Sequence, residues 1–128
     1  MDRSKLGKDA EYAAAQLLRL NGYTILYRNF YTRFGELDIV ARNRTTLVFA
    51  EVRARTTNSF SNAATSVTPK KQQKLIAAAQ AFLSHYPLHS HLACRFDVIA
   101  YDLAKSSPTI SSITALPRPL WYKDAFRP

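Results

Sequence analysis

The chain has 128 residues, enough to bury one core and too few for two domains, and its 47% hydrophobic and 12% aromatic content excludes a disordered tail. Eighteen Lys and Arg stand against nine Asp and Glu, a net charge of +9, which points to an anionic partner: nucleic acid first, an acidic membrane surface second. Cys94 is alone, which excludes an intrachain disulfide. No stretch is long and apolar enough for a membrane span, and acids interrupt the N-terminal MDRSKLGKDAEYAAAQLL, so a cytoplasmic protein without a signal peptide is expected.

Ser4 to Leu20 carries Leu6, Ala10, Ala13, Ala14, Leu17 and Leu18 at helical spacing, and Asn21-Gly22 supplies the stop. Tyr23 to Tyr31 is rich in aromatic and β-branched residues and predicts a strand. Arg33-Phe34-Gly35 turns the chain into a second strand over Glu36 to Ala41, and Asn43 to Thr45 turns it into a third over Thr46 to Ala54. Thr56 to Val67 is a loop rich in Ser, Thr and Asn. Thr68-Pro69 opens a second helix, with Thr as N-cap and Pro at the first helical position; Leu75, Ile76, Ala79, Phe82 and Leu83 form its apolar stripe, and it ends near His85 to Pro87. Cys94 to Tyr101 is the next strand, Lys105 to Pro108 a polar turn, and Ile110 to Ala115 a candidate edge strand. Residues 117–128 read as a Pro-broken tail packing over the sheet. The order α-β-β-β-α-β describes one α/β domain over 1–128, a central sheet flanked by helices.

The stretch GELDIVARNRTTLVFAEVRAR, Gly35 to Arg55, holds carboxylates where strands should be apolar. By strand alternation Leu37, Ile39 and Ala41 share one face and Glu36, Asp38 and Val40 the other, while Leu47, Phe49, Glu51 and Arg53 share a face of the third strand. A two-residue turn at Arg44-Thr45 sets Asp38 opposite Glu51 and Glu36 opposite Arg53. Opposed carboxylates repel unless a positive charge lies between them. Mg²⁺ is held by one or two carboxylates plus water and phosphate, so Asp38 and Glu51, helped by the Val52 carbonyl, make a candidate half-open Mg²⁺ or Mn²⁺ site for phosphodiester hydrolysis. Arg53, on the same face, is placed to offset charge on the phosphorus. The competing reading is a cross-strand ion-pair cluster in which Arg53 and Arg55 simply neutralise the acids.

G-E-L-D-I-V, V-F-A-E-V-R-A-R and R-F-D-V-I together resemble the YraN family of small bacterial proteins. Gly7…Glu11, Gly22-Tyr23…Arg28-Asn29 and Lys71…Leu75…Ala78-Ala79 extend the likeness from about Gly7 to Phe126. The resemblance implies a restriction-endonuclease-like (PD-(D/E)xK) fold with an αβββαβ core, similar to archaeal Holliday-junction resolvases. Within that superfamily the metal carboxylates match Asp38 and Glu51, and a further helix acid matches Glu11. The catalytic lysine falls on Arg53, a departure that matters because arginine is always charged and cannot act as a base.

Between Asp38 and Asp97 the only acid is Glu51, whereas eight Lys and Arg lie in that interval. Arg33, Arg55, Lys70, Lys71 and Lys74 are therefore candidate nucleic-acid contacts; the three lysines oppose the dipole of the second helix, and a bound phosphate or a solvated helix end accounts equally for their placement. The run His85, His89, His91 reads as a solvated loop and Cys94 as a buried apolar filler. Arg95 and Asp97 share a strand face and read as a local ion pair. The expectation is a divalent-metal-dependent nuclease acting on DNA, with branched and single-stranded forms as candidate substrates and DNA ranked ahead of RNA as the partner, and a two-fold dimer is suggested by analogy to resolvases. The alternatives are a non-catalytic nucleic-acid-binding protein of the same fold, which lost turnover through Arg53, and an adaptor that uses its sheet edge for partners.

Overall fold

The computed structural model describes residues 3–55, 67–102 and 118–128, with side chains from Gly7 onward and without those of Arg55 and Asp102. Helix α1 spans Arg3–Leu20, followed by strands β1 Thr24–Thr32, β2 Gly35–Arg42 and β3 Thr46–Arg55, helix α2 Pro69–His85, a short 3₁₀ turn Pro87–His89, and strands β4 Ala93–Asp102 and β5 Leu120–Phe126. The predicted α-β-β-β-α-β order is present, within one or two residues at most boundaries. The loop from Thr56, the Lys105–Pro108 turn, the candidate strand Ile110–Ala115 and the Arg55 side chain lie outside the described residues.

The five strands form one mixed sheet in the order β1-β2-β3-β4-β5. Among the described strands only β3 and β4 pair in parallel, and α2 carries the chain between them, as a parallel pair requires. The two helices cover opposite faces. α1 buries Ala10, Ala14, Ala15 and Leu18 against Ile39, Ala41, Val48, Ala50 and Ile99. α2 buries Leu75, Ala78, Ala79 and Phe82 against Val40, Leu47, Phe49, Phe96 and Val98. Small residues on α1 let that helix lie close to the sheet, whereas the bulk on the other face is Phe82, ringed by Tyr27, Phe30, Phe49 and Tyr86.

The helix ends are built as their residues suggest. α1 stops where Gly22 takes φ +88°, which an L side chain resists. The Thr68 hydroxyl accepts the Lys71 N–H at 3.2 Å and starts α2. Among the described residues, no helix is long and apolar enough to cross a membrane.

Two sequence expectations are corrected. The described part of the tail, residues 118–128, does not pack over the sheet: Leu120–Phe126 extends it as β5, antiparallel to β4. Its anchor is Asp97, 0% exposed, which accepts Arg95 Nε and Nη2 at 2.9 Å each, Trp121 Nε1 at 2.8 Å and the Asp124 N–H at 3.0 Å. The expected Arg95–Asp97 ion pair is thus present, and it also recruits the last strand. Cys94 is exposed rather than a buried filler.

Candidate functional site

The turn between β2 and β3 is the two-residue one expected, Arg44-Thr45, closed by Asn43 N–H to Thr46 O at 3.0 Å. It sets the register Arg42↔Leu47, Ala41↔Val48, Val40↔Phe49, Ile39↔Ala50. The ladder then stops, although both strands continue: β2 stays paired with β1 down to Thr32↔Gly35, and β3 with β4 up to Arg55↔Asp102. The sheet is forked between β2 and β3, and Asp38 stands at the crotch.

The chain prepares that position from β1. Asn29 takes a left-handed φ of +55°, and no pair forms between it and Asp38 although Arg28↔Ile39 and Phe30↔Leu37 pair on either side. Asn tolerates this conformation better than most L residues. Both strands swap faces across the break: Tyr27 and Phe30, three apart, both meet Phe82, and Leu37 joins Val40 in the α2-side core while Ile39 and Ala41 lie on the α1 side. The expected alternation of Leu37 with Ile39 and Ala41 is therefore corrected; a left-handed residue resets the pleat.

Freed from the ladder, the Asp38 carboxylate accepts the Val52 N–H at 2.9 Å and so replaces the missing strand partner. Its carboxyl group lies within hydrogen-bonding reach of that of Glu51, which is 4% exposed. Burial, then the contact with Glu51 and its charge, push the Asp38 carboxyl up to about 8 from an ordinary 3.8, against the pull of the Val52 N–H and Lys71. The predicted nearness of the Asp38 and Glu51 carboxyl groups is present, but not as a ladder pair, because the β2–β3 ladder ends at Ile39↔Ala50. The predicted pairing of Glu36 with Arg53 is absent, because the fork opens before those residues could pair.

Cations converge on Glu51 from two elements. Arg53 Nη1 lies 3.7 Å and Lys71 Nζ 3.6 Å from Glu51 Oε2. Lys71, a candidate nucleic-acid contact in the sequence, thus stands beside the acids. The first turn of α2 brings it there, because its N-cap lies on the β3–β4 crossover. Lys70, Lys74 and Arg33 are exposed nearby in the chain and touch none of the carboxylates.

On the α1 side, Asn29 Nδ2 donates to Glu11 Oε1 at 2.9 Å and to Glu36 Oε1 at 2.7 Å. Burial raises the Glu11 carboxyl and the Asn29 hydrogen bond holds it down; the charges of Asp38 and Glu36 add to the rise, so Glu11 feels Asp38. Among the described residues, no three His, Cys, Asp or Glu side chains gather closely enough to hold one ion together. Glu11 is thus a neighbour of the Asp38–Glu51 pair, not a third arm of it. Asn29 is the site residue that sequence reasoning passed over. Its signal was local: an Asn within an aromatic, β-branched strand, where Asn is rare. The histidines take no part: His89 Nδ1 meets Arg42 Nη1 at 3.1 Å and its ring stacks on Phe82.

The donor set fits a hard divalent ion. Two carboxyl groups are pressed together by the fold with Lys71 and Arg53 beside them, and a two-carboxylate site is what Mg²⁺ commonly uses. A prediction follows for the metal-free protein. Because folding raises the Asp38 pKa, the folded state keeps a proton that the unfolded chain releases; the contribution of this one group to stability is fully present below about pH 4 and is lost as pH rises toward about 8. Asp38→Asn removes that charge and can still accept from Val52. In EDTA at about pH 8 it is expected to gain about 1 kcal/mol, a rise of roughly 4 °C in Tm, and the gain should vanish near pH 4. Thermal melts of both proteins at the two pH values check this, and an equal or lower Tm for the variant at about pH 8 contradicts it.

The family model described as Uncharacterised protein family UPF0102 matches residues 10–101, a span that runs from within α1 through β1, β2, β3 and α2 to the last residue but one of β4 and contains every residue of the fork. A UPF0102 protein of Nitrosococcus oceani is 38% identical over 121 residues, covering 94% of this chain and 90% of its own. One from Alcanivorax borkumensis is 45% identical over 100 residues, 78% and 80% of the two chains, and one from Hahella chejuensis 43% identical over 102 residues, 80% and 82%. On these matches the chain belongs to the UPF0102 family, the YraN family of the sequence comparison.

Proposed function

We propose that this protein is a divalent-metal-dependent nuclease that hydrolyses phosphodiester bonds of DNA. The observation that carries the reading is the Asp38–Glu51 pair at the fork, two carboxyl groups in contact with Lys71 and Arg53 beside them. Asp38 and Glu51, with the Val52 carbonyl, would hold a Mg²⁺ or Mn²⁺ ion. When bound, such an ion polarises a phosphate oxygen and lowers the pKa of a water.

The remaining roles belong to the chain. Arg53 is a fixed cation suited to the charge that develops on the phosphorus. It cannot take a proton, which is the function a lysine at its position would offer. Lys71 brings a compact ammonium with three donors to the same carboxylate and supplies the amine that Arg53 lacks. Glu11 and Glu36, tied together by Asn29, steady the α1 side of the fork. Lys70, Lys74 and Arg33, all exposed, extend positive charge along the approach, where they would contact phosphates without reading bases.

The test is incubation with supercoiled, single-stranded and junction DNA in Mg²⁺ or Mn²⁺, then with EDTA. Cutting is expected with metal and not with EDTA, and Asp38→Ala is expected to stop cutting while retaining binding. Affinity should fall steeply from low to moderate salt as phosphate contacts release counterions. A wild type that never cuts, combined with an Arg53→Lys variant that does, selects the second reading: a binding protein of this fold that lost turnover at Arg53.

A further inference from the structure

The tip of the β1–β2 hairpin carries aromatic rings that no core claims. Tyr31 is 74% exposed and Phe34 40% exposed. Exposed aromatics scattered singly need no explanation, but these two sit three residues apart on a tip that the chain holds rigid. The Thr32 hydroxyl accepts the N–H groups of Phe34 at 3.0 Å and Gly35 at 3.1 Å, and donates to the Gly35 carbonyl at 2.7 Å. The Arg33 guanidinium lies 4.7 Å from the centre of the Phe34 ring, which leaves its charge beside an aromatic face.

The position of the tip is as telling as its composition. Tyr31 pairs with Glu36 across the hairpin, so the two side chains share a face, and Glu36 is tied through Asn29 to Glu11. From Glu36 to Asp38 is two residues of strand, about 6.6 Å. On the other side, a Cβ added at Gly35 would stand 3.9 Å from that of Lys74, so the tip abuts the lysine-bearing start of α2. Aromatic faces, a guanidinium and helix lysines therefore border one end of the acid fork, in a chain whose net charge is +9.

Aromatic faces with flanking cations suit one ligand class. In a duplex the faces of the bases are stacked on one another; in an unpaired strand they are open to a protein ring, and stacking works for any base because every base has a π-face. We propose that the β1–β2 hairpin is a stacking platform for unpaired nucleotides, with Tyr31 and Phe34 as the rings and Arg33, Lys70 and Lys74 on the adjoining phosphates. This rests on the nuclease reading above and names single-stranded nucleic acid as its substrate.

The test is fluorescence anisotropy on the full chain with a labelled 20-nucleotide single strand of mixed sequence and with its duplex, in Ca²⁺. Wild type is expected to bind the single strand more tightly. Tyr31→Ala and Phe34→Ala should each weaken single-strand binding about 5- to 100-fold and leave the duplex unaffected, while Tyr31→Phe and Phe34→Trp, which keep a ring, should bind normally. Equal single-strand affinity in the Ala variants, equal loss on both ligands, or no preference in wild type overturns the proposal. So does an Ala variant that instead dissociates a wild-type dimer in sedimentation, since the tip would then be a protein interface. The two readings fail separately: normal binding by the hairpin variants with cutting lost in Asp38→Ala removes the platform and leaves the nuclease. The expected single-strand preference without metal-dependent cutting removes the nuclease and leaves the platform.

Discussion

Lys71→Met is expected to slow metal-dependent DNA cutting about 100- to 1,000-fold, the size of effect seen when one preorganised donor is removed from a charge-stabilising site. The reason lies in the arrangement around Glu51. Two cations face that carboxylate, at 3.6 and 3.7 Å, but only Lys71 is a compact, strongly hydrated ammonium able to turn its donors toward a water or a phosphate oxygen. Arg53 remains in the variant as one of the two cations at Glu51, so the loss should fall mainly on kcat rather than on KM. Lys71→Arg should recover part of the rate, since it restores charge without the geometry of the ammonium. Steady-state kinetics on a labelled single strand separates these outcomes. A Met variant that turns over like wild type removes Lys71 from the chemistry and returns it to the nucleic-acid contacts.

Asp97→Ala is expected to be the most destabilising of the substitutions considered, by about 3–5 kcal/mol, the cost of breaking a buried ion pair from one side. Asp97 is fully buried and takes hydrogen bonds from Arg95, from the Trp121 indole and from the Asp124 backbone. Removing it leaves the Arg95 guanidinium with the Tyr23 hydroxyl at 3.0 Å and the charge of Asp124 and takes away the side-chain hydrogen bonds that add to the backbone ladder in holding β5. Whole domains are stable by only about 5–15 kcal/mol, so the variant should unfold at a much lower urea concentration. Because Arg95 and Asp97 share one network, adding Arg95→Ala should cost much less than it does alone. A midpoint shift worth less than about 1 kcal/mol would mean that β5 is held by its apolar contacts, chiefly the stacking of Phe126 on Phe96.

The two variants probe parts of the molecule that differ in how visible they were in the residues alone. The nearness of Asp38 and Glu51 follows from two local facts: strand side chains alternate, and a two-residue turn sets the register. Neither depends on the rest of the chain, so both were legible. Lys71 beside Glu51 was not, because it depends on how far the crossover carries the chain and on the angle at which α2 enters its face of the sheet. Asp97 as the anchor of β5 was hidden for the same reason: Trp121 and Asp124 are local neighbours of nothing on β4.

Local chemistry by itself determined both helices, the first four strands, the Thr68-Pro69 helix start, the Arg44-Thr45 turn and the basic middle of the chain, since each is a matter of period, cap or composition over a few neighbouring residues. The tertiary structure alone decided that the sheet forks after Ile39 and Ala50, that Asn29 and Asp38 swap the faces of β1 and β2, that a Pro-flanked tail becomes β5, and that Cys94 faces solvent. Those outcomes rest on pairings between distant segments. A short polar-aromatic stretch such as LWYKDAF becomes a strand only when an edge with a waiting acceptor is already in place to receive it.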